Sequence, residues 1–215
     1  MADVDRVYIP AAGQDWCLPF YDSFTRLIGA EEARQTLIDH AALQPGHRVL
    51  DVGCGTGSLL MQIASAHPQV QLTGLDPDPK ALARAQRKAD KAGIAVQLDR
   101  GYSDALPYPD RSFDRVLSSF MFHHLLGRDQ KLHTMREIAR VLAPGGRLLL
   151  LDMTPPTSDR GGFLVRWMHS SPLLSDNAED RVLAYMREGG LVDPRVIDRS
   201  RLFLVFRTAY YEARA

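Results

Sequence analysis

Thiols, excess charge and long apolar runs are all scarce in this chain, and each shortage closes a line of explanation. Only Cys17 and Cys54 are present, with no CxxC pair, so neither a disulfide framework nor a zinc ribbon is expected. The 26 basic side chains balance 26 acidic ones, whereas a dedicated nucleic-acid binder carries a basic bias. No apolar stretch approaches the roughly 18 residues needed to cross a bilayer. The amino terminus, MADVDRVYIP, has acids where a secretory leader has a basic and then an apolar run. The seven histidines show no HxxxH or clustered spacing, and no metal is expected. A cytoplasmic protein with a small-molecule substrate, and with neither nucleic-acid nor membrane partners, is the expectation.

What is there suits one folded domain. Hydrophobic residues make up 45% and charged residues 24%, enough to bury a core. EEARQTLIDHAA reads as a helix with an apolar stripe at 33, 37, 38, 41 and 42, ended by QPG. HRVLDVG, VQLTGLD, IAVQLDRG, FDRVLSSF and RLLLLDM then read as strands. Between them, TGSLLMQIASAHP, PKALARAQRKADKAG and DQKLHTMREIARVL read as helices, the last broken by APGG. The continuous leucines of RLLLLDM have the pattern of a strand covered on both faces. This alternation from about residue 47 to 153 implies a parallel sheet with right-handed crossovers. Near the end, AEDRVLAYMREGG is a further helix. RVIDRSRLFLVFRTAYYEA offers two strands with no helix between them, hence an antiparallel hairpin at the sheet edge, its turn expected near Ser200–Leu202.

The stretch VLDVGCGTGSLL (49–60) sets the chemistry. Glycine at that density weakens strands and helices, so something must approach the backbone there. A glycine-rich turn between a first strand and a helix is where a doubly wound sheet holds a nucleotide-like ligand, on N–H groups left unpaired at the helix start. The glycines Gly53, Gly55 and Gly57 spell GxGxG. The dinucleotide fingerprint GxGxxG would need a third glycine where Ser58 stands. Asp76 closes the second strand, where a carboxylate can accept both hydroxyls of a ribose; its other reading is a turn or cap acid before Pro77.

Together VLDVGCGTG, GLDPDP, ALPYPDRSFDRVLSSFMFHHL and EIARVLAPGGRLLLLDM resemble the class I S-adenosylmethionine-dependent methyltransferases. The likeness is greatest to the small-molecule branch that includes the ubiquinone/menaquinone C-methyltransferases, closely over residues 47–153. It implies an α/β, Rossmann-like doubly wound sheet of seven strands, mostly parallel with an antiparallel C-terminal hairpin, and S-adenosyl-L-methionine as cofactor. By the same resemblance Asp51, Gly53, Gly55 and Gly57 shape the turn for the methionine moiety. Asp76 takes the ribose hydroxyls, and Pro77 and Asp78 flank the adenosine. Ser119 and Phe120 lie near the methionine amino group and the reactive methyl. One position departs from the family: Tyr102 stands where many relatives carry an adenine-binding aspartate, so Ser103 and Asp104 are expected to read the adenine.

His123 and His124 sit where the fourth strand opens into the cleft and are the candidates for a catalytic base or an orienting group, unless they merely pack or cap the next helix. By the same resemblance residues 1–30 are expected to form an N-terminal lid, with Tyr21 of YDSF over the cofactor and Trp16 or Tyr8 toward substrate, unless this aromatic segment simply packs on the core; residues 31–215 are expected to form the methyltransferase domain. The insertion at 161–176, with Phe163, Trp167 and Met168, forms either an apolar wall of the substrate pocket or a homodimer contact. The competing functions are a non-catalytic module that binds S-adenosylmethionine or its product, a nicotinamide oxidoreductase, and a nucleic-acid or protein methylase.

Overall fold

The computed structural model describes residues 29–155, 176–202 and 206–215. In chain order these give α1 (Ala30–Ala41), β1 (Arg48–Val52), α2 (Ser58–Ala66), β2 (Gln71–Asp76), α3 (Pro79–Ala92), β3 (Gln97–Arg100) and β4 (Phe113–Ser119). A 3₁₀ turn (Phe122–His124), α4 (Gly127–Val141), β5 (Leu142–Met153), α5 (Glu179–Glu188), β6 (Val192–Leu202) and β7 (Phe206–Arg214) follow. The strands form one sheet in the order β3-β2-β1-β4-β5-β7-β6. Strands β1 to β5 pair in parallel, and β7 runs antiparallel to both β5 and β6. The order reverses between β1 and β4, which opens a crevice at their carboxyl ends.

The leucine run of β5 explains itself in the two cores. Leu148 and Leu150 join Met135 and Ile138 of α4 and Val182 and Met186 of α5 on one face. Leu149 and Leu151 join Leu37 and Ile38 of α1 and Leu59 and Leu60 of α2 on the other. All four leucines are at most 1% exposed. Each buried leucine contributes roughly 1.5–3 kcal/mol relative to an exposed one, so a charge anywhere in this run would be costly.

Two local expectations need correction. APGG does not separate α4 from the strand: β5 starts at Leu142, directly after Val141. Phe113 faces Leu142 while Arg115 already faces Arg147. The surplus residues, with Gly145 at φ 76°, bend the strand's beginning instead of ending the pairing. The C-terminal turn is not at Ser200–Leu202 either. Ser200, Arg201 and Leu202 remain in β6, facing Thr208, Arg207 and Phe206. Residues 1–28 and 156–175 lie outside the described residues, and with them the expected lid (Tyr8, Trp16, Tyr21) and nearly all of the expected wall (Phe163, Trp167, Met168).

Lys131 of α4 is only 1% exposed. Its ammonium meets Asp176 Oδ2 at 3.1 Å and lies 5.3 Å from the centre of the Phe122 ring and 6.0 Å from that of Tyr185. The carboxylate of Asp176 also accepts from Arg181 at 2.9 Å and from the Tyr185 hydroxyl at 3.2 Å. Removing one partner of a buried ion pair strands the other charge. Asp176→Ala is expected to cost about 3 kcal/mol in urea unfolding. The double variant Asp176→Ala/Lys131→Met, with no charge left to bury, is expected to recover most of that loss.

Candidate active site

Three parallel strands carry an aspartate at or next to their carboxyl ends: Asp51 in β1, Asp76 in β2 and Asp152 in β5. Around these ends lies a cleft with an empty volume, mouth included, of about 1010 Å³, ample for small ligands. One end is built before the chain crosses back to β4, from Gly53, Gly55, Asp76, Pro77, Tyr102 and Ser103. The other is built after it, from Ser119, Phe120, Met121, His124, Leu125 and Gln130.

The glycine turn has a reason at two positions. Gly53 has φ 74°, and a Cβ there would stand 2.2 Å from Met121 Cγ. The two walls of the cleft therefore touch through a bare backbone. Gly55 has φ 52° and lines the cleft, and a Cβ there would meet nothing within 4 Å. Its side-chain position is empty space of the cleft, the kind of cradle a ligand pressed against the main chain requires. Gly57 does not line the cleft. It caps α2 and faces Ala85 of α3, so its role is helix packing.

Asp76 is buried and fixes the turn from below. Its Oδ2 accepts from Gly55 N–H at 2.8 Å and its Oδ1 from Asp78 N–H at 2.9 Å. Burial pushes its carboxyl up to about 6, although those two N–H donors favour the charged form. Each oxygen keeps a further lone pair, and Asp76 lines the cleft. Helix capping falls to Asp78, whose Oδ1 accepts from Lys80 N–H at 2.8 Å. Asp51 lies behind the lining and is 1% exposed. Neither of its oxygens has a hydrogen-bond partner among the described residues. Burial raises its carboxyl to about 7, opposed by the positive charge of Arg34.

Sequence reasoning missed Arg34. It is 6% exposed, lines the cleft, and holds its guanidinium 5.6 Å from the centre of the Phe120 ring. The signal was available: α1 buries Ala30, Ala33, Arg34, Leu37, Ile38 and Ala41, so an arginine stands inside the apolar stripe. A buried arginine beside a cleft is rare without a partner for its charge. Phe120 has φ 58°, a costly conformation for a side-chain-bearing residue and one that tends to mark functional positions.

In the adenine region Ser103 lines the cleft, but its hydroxyl is engaged with Thr134 Oγ1 at 2.8 Å. Asp104 is not part of the lining, and Tyr102 is. The two histidines part company. His124 lines the cleft with a buried Nδ1 that has no partner among the described residues. Burial, then the neighbouring His123, lowers its pKa to about 4, so it is neutral at ordinary pH. His123 is 8% exposed and is not in the lining. Asp152, fully buried, accepts from His123 N–H at 3.0 Å and meets its ring Nδ1 at 2.5 Å. The two imidazole rings lie against each other, tilted by 37°, with centroids 4.2 Å apart. The aspartate therefore locks His123, and His123 backs His124.

Donor-set chemistry and turn geometry both fit a nucleoside with a cationic amino-acid tail: a carboxylate for ribose hydroxyls, bare backbone at Gly55, and charged groups of both signs beyond it. Comparison with known proteins agrees. Residues 49–146 match the family described as Methyltransferase domain. The chain is 34% identical over 203 residues to a demethylmenaquinone methyltransferase of Deinococcus radiodurans, covering 89% of this chain and 82% of that one. It is 37% identical to a 27-O-demethylrifamycin SV methyltransferase of Amycolatopsis mediterranei, over 75% of this chain and 61% of that one. The fold matches the crystal structure of a SAM-dependent methyltransferase from Aquifex aeolicus with a TM-score of 0.69 at 21% identity, covering 93% of this chain and 98% of that one. With its glycine turn, Asp76 and sheet order all in place, the chain belongs to the class I S-adenosylmethionine-dependent methyltransferases and resembles their quinone C-methylating branch.

Proposed function

We propose that the protein methylates a small, partly apolar molecule at a phenolic or enolic oxygen or at a ring carbon next to one. A single cleft carries this reading. Its Asp76 end suits the donor, and its other end combines apolar walls (Met121, Leu125, Leu126) with the neutral His124 imidazole, whose Nδ1 has no hydrogen-bond partner among the described residues. The relatives named for demethylmenaquinone and for a rifamycin support an acceptor of that character. A module that only binds the cofactor would have a filled acceptor end, and among the described residues the end beside His124 is open.

S-adenosylmethionine, when bound, supplies a methyl group on a sulfonium, and the acceptor's electron pair forms the new bond as the methyl–sulfur pair stays on sulfur. The protein's residues bind and orient. We assign Asp76 to the ribose hydroxyls, the Gly53–Gly55 backbone and Ser119 to the methionine moiety, and Arg34 to its carboxylate. Pro77, Tyr102 and Ser103 flank the adenine. Held in line, donor and acceptor gain the positional advantage that can supply roughly 7–11 kcal/mol. The His124 imidazole takes the acceptor's proton. An oxygen or ring carbon that has gained a methyl while keeping its proton is strongly acidic, so a base with a pKa near 4 suffices. His123 is the positioning residue, fixed by Asp152 as an orienting carboxylate fixes an imidazole in other catalytic sites.

The test is transfer of labelled methyl from S-adenosylmethionine to naphthol-type acceptors, followed by mass spectrometry. His124→Gln is expected to lower kcat by about 100-fold or more while leaving donor affinity intact. Wild-type kcat should hold level from pH 8 down to about 5 and fall only as His124 becomes protonated near pH 4. An acid limb near pH 6.5, or a fully active His124→Gln enzyme, would remove His124 from the reaction.

A further inference from the structure

We propose that Glu137 and Arg140 of α4 are positioning residues for the donor's base: acting through the 101–112 loop, they hold the wall that meets the adenine. This rests on the assignment of the adenine to Tyr102 and Ser103 made above. The loop joins β3 to β4 with no helix or strand of its own, so its backbone groups need partners from outside it. Gly101, Tyr102 and Ser103 line the cleft, whereas residues 104–112 do not. That later part is bound to α4. Glu137 Oε2 accepts from Leu106 N–H at 2.8 Å. Arg140 Nη2 donates to Leu106 O at 3.0 Å, and Nη1 donates to Tyr108 O at 2.7 Å and to Asp110 Oδ1 at 2.8 Å. The pair is itself joined from Nε to Glu137 Oε1 at 2.8 Å and from Nη2 to Glu137 Oε2 at 2.7 Å. Arg111 N–H then donates to Arg140 O at 3.0 Å.

Each N–H donor of the guanidinium is used in these bonds, and neither Glu137 nor Arg140 lines the cleft. Whatever they do for a ligand is done through the loop. Leu106 is gripped at both its N–H and its C=O, and its side chain is buried in the core with Ile138 of α4. Ahead of it, Ser103 Oγ meets Thr134 Oγ1 of the same helix at 2.8 Å, both side chains being buried. One helix thus fixes the loop from the cleft wall outward. A planar guanidinium in paired contacts sets angle as well as distance. A lysine ammonium cannot reach Glu137, Asp110 and two carbonyls at once, so Arg140→Lys is not a conservative change here. With the pair gone, the loop keeps its Thr134 contact but loses the frame that aims Tyr102 and Ser103 at a base.

Two ligands isolate the base: S-adenosylhomocysteine carries it, and S-ribosylhomocysteine lacks it. Competition calorimetry on the whole protein measures both. The wild type should bind S-adenosylhomocysteine roughly 10–100-fold more tightly, the worth of burying and stacking one base. In Arg140→Met and Arg140→Lys that affinity should fall about 10-fold, the lower end of what loss of a supporting partner costs at metal sites. The affinity for S-ribosylhomocysteine should change by less than about twofold, as for independent sites. A merely structural role would weaken both ligands alike, so equal losses would overturn the proposal. So would an Arg140→Lys protein that binds S-adenosylhomocysteine as the wild type does, or a wild type that binds the two ligands equally. Arg140→Lys keeps a cation beside Glu137 and carries the test should Arg140→Met not fold. Failure of the donor assignment shows separately, as no binding of S-adenosylhomocysteine by the wild type, and would take the proposal with it.

Discussion

Asp76→Ala is expected to weaken S-adenosylmethionine binding by at least 100-fold while the protein stays folded. Two losses combine. The carboxylate accepts from Gly55 and Asp78 N–H groups, so its removal releases the turn that the ligand leans on. It is also the group we assign to the ribose hydroxyls. Hydrogen bonds to a charged partner are worth roughly 1.5–3 kcal/mol each, and losing two of them at the low end already accounts for a factor of about 100. The same group predicts a pH dependence. Burial holds its pKa near 6, and the ionised form is the better acceptor for hydroxyls. Below about pH 6 the free protein must give up a proton to bind, so affinity should weaken by up to tenfold per pH unit as pH falls. Asp51, near 7 and with no hydrogen-bond partner among the described residues, adds to this slope when positive charge enters the cleft. Titration calorimetry across pH 5 to 8 measures both effects; an Asp76→Ala protein that binds as the wild type does would sink the assignment.

Gly53→Ala and Gly55→Ala are expected to fail in different ways. At Gly53 the new methyl lands 2.2 Å from Met121 Cγ and 2.7 Å from its Cβ, at φ 74°. Left-handed backbone costs an alanine roughly 1–2 kcal/mol, and overpacking of this kind adds about 1–3 kcal/mol. A loss of about 2–5 kcal/mol follows, with Met121 displaced in the cleft and methyl transfer abolished. At Gly55 the methyl meets no protein atom within 4 Å. Only the backbone strain of about 1–2 kcal/mol remains, so that variant should fold, and it should still lose donor binding because the methyl occupies ligand space. Denaturation curves separate the two variants, and a Gly55→Ala enzyme of normal donor affinity would show that the ligand lies elsewhere.

Much of this was legible in the residues, for physical reasons. Glycines at 53, 55 and 57 stand out because few arrangements tolerate them, and the alternation of apolar strands and amphipathic helices gave the sheet. The unbroken RLLLLDM run announced coverage on both faces, which Leu148/Leu150 and Leu149/Leu151 realise in separate cores. What the pattern concealed was long-range pairing. Nothing local distinguishes His123 from His124; only Asp152, 28 positions after His124, makes one a buried anchor and leaves the other at the cleft. Arg34 was hidden because a charged residue on an amphipathic helix is ordinarily assigned to water. The β6–β7 turn was set too early because RVIDRSRLFLVFRTAYYEA carries no glycine, proline or asparagine to mark a turn, and only the pairing of Leu202 with Phe206 shows how far β6 runs.

The return of the chain from β3 to β4 has a consequence for how such proteins diversify. Apart from Arg34 and Ser119, the lining residues we assign to the donor lie between 53 and 103, and those we assign to the acceptor between 121 and 126. The seam between them is short and is anchored where Gly53 abuts Met121. Mutations on the later stretch can therefore explore new substrates while the earlier stretch keeps its grip. One inherited half-site can in this way serve a lineage of enzymes with unlike targets, provided the glycine at the seam is never exchanged.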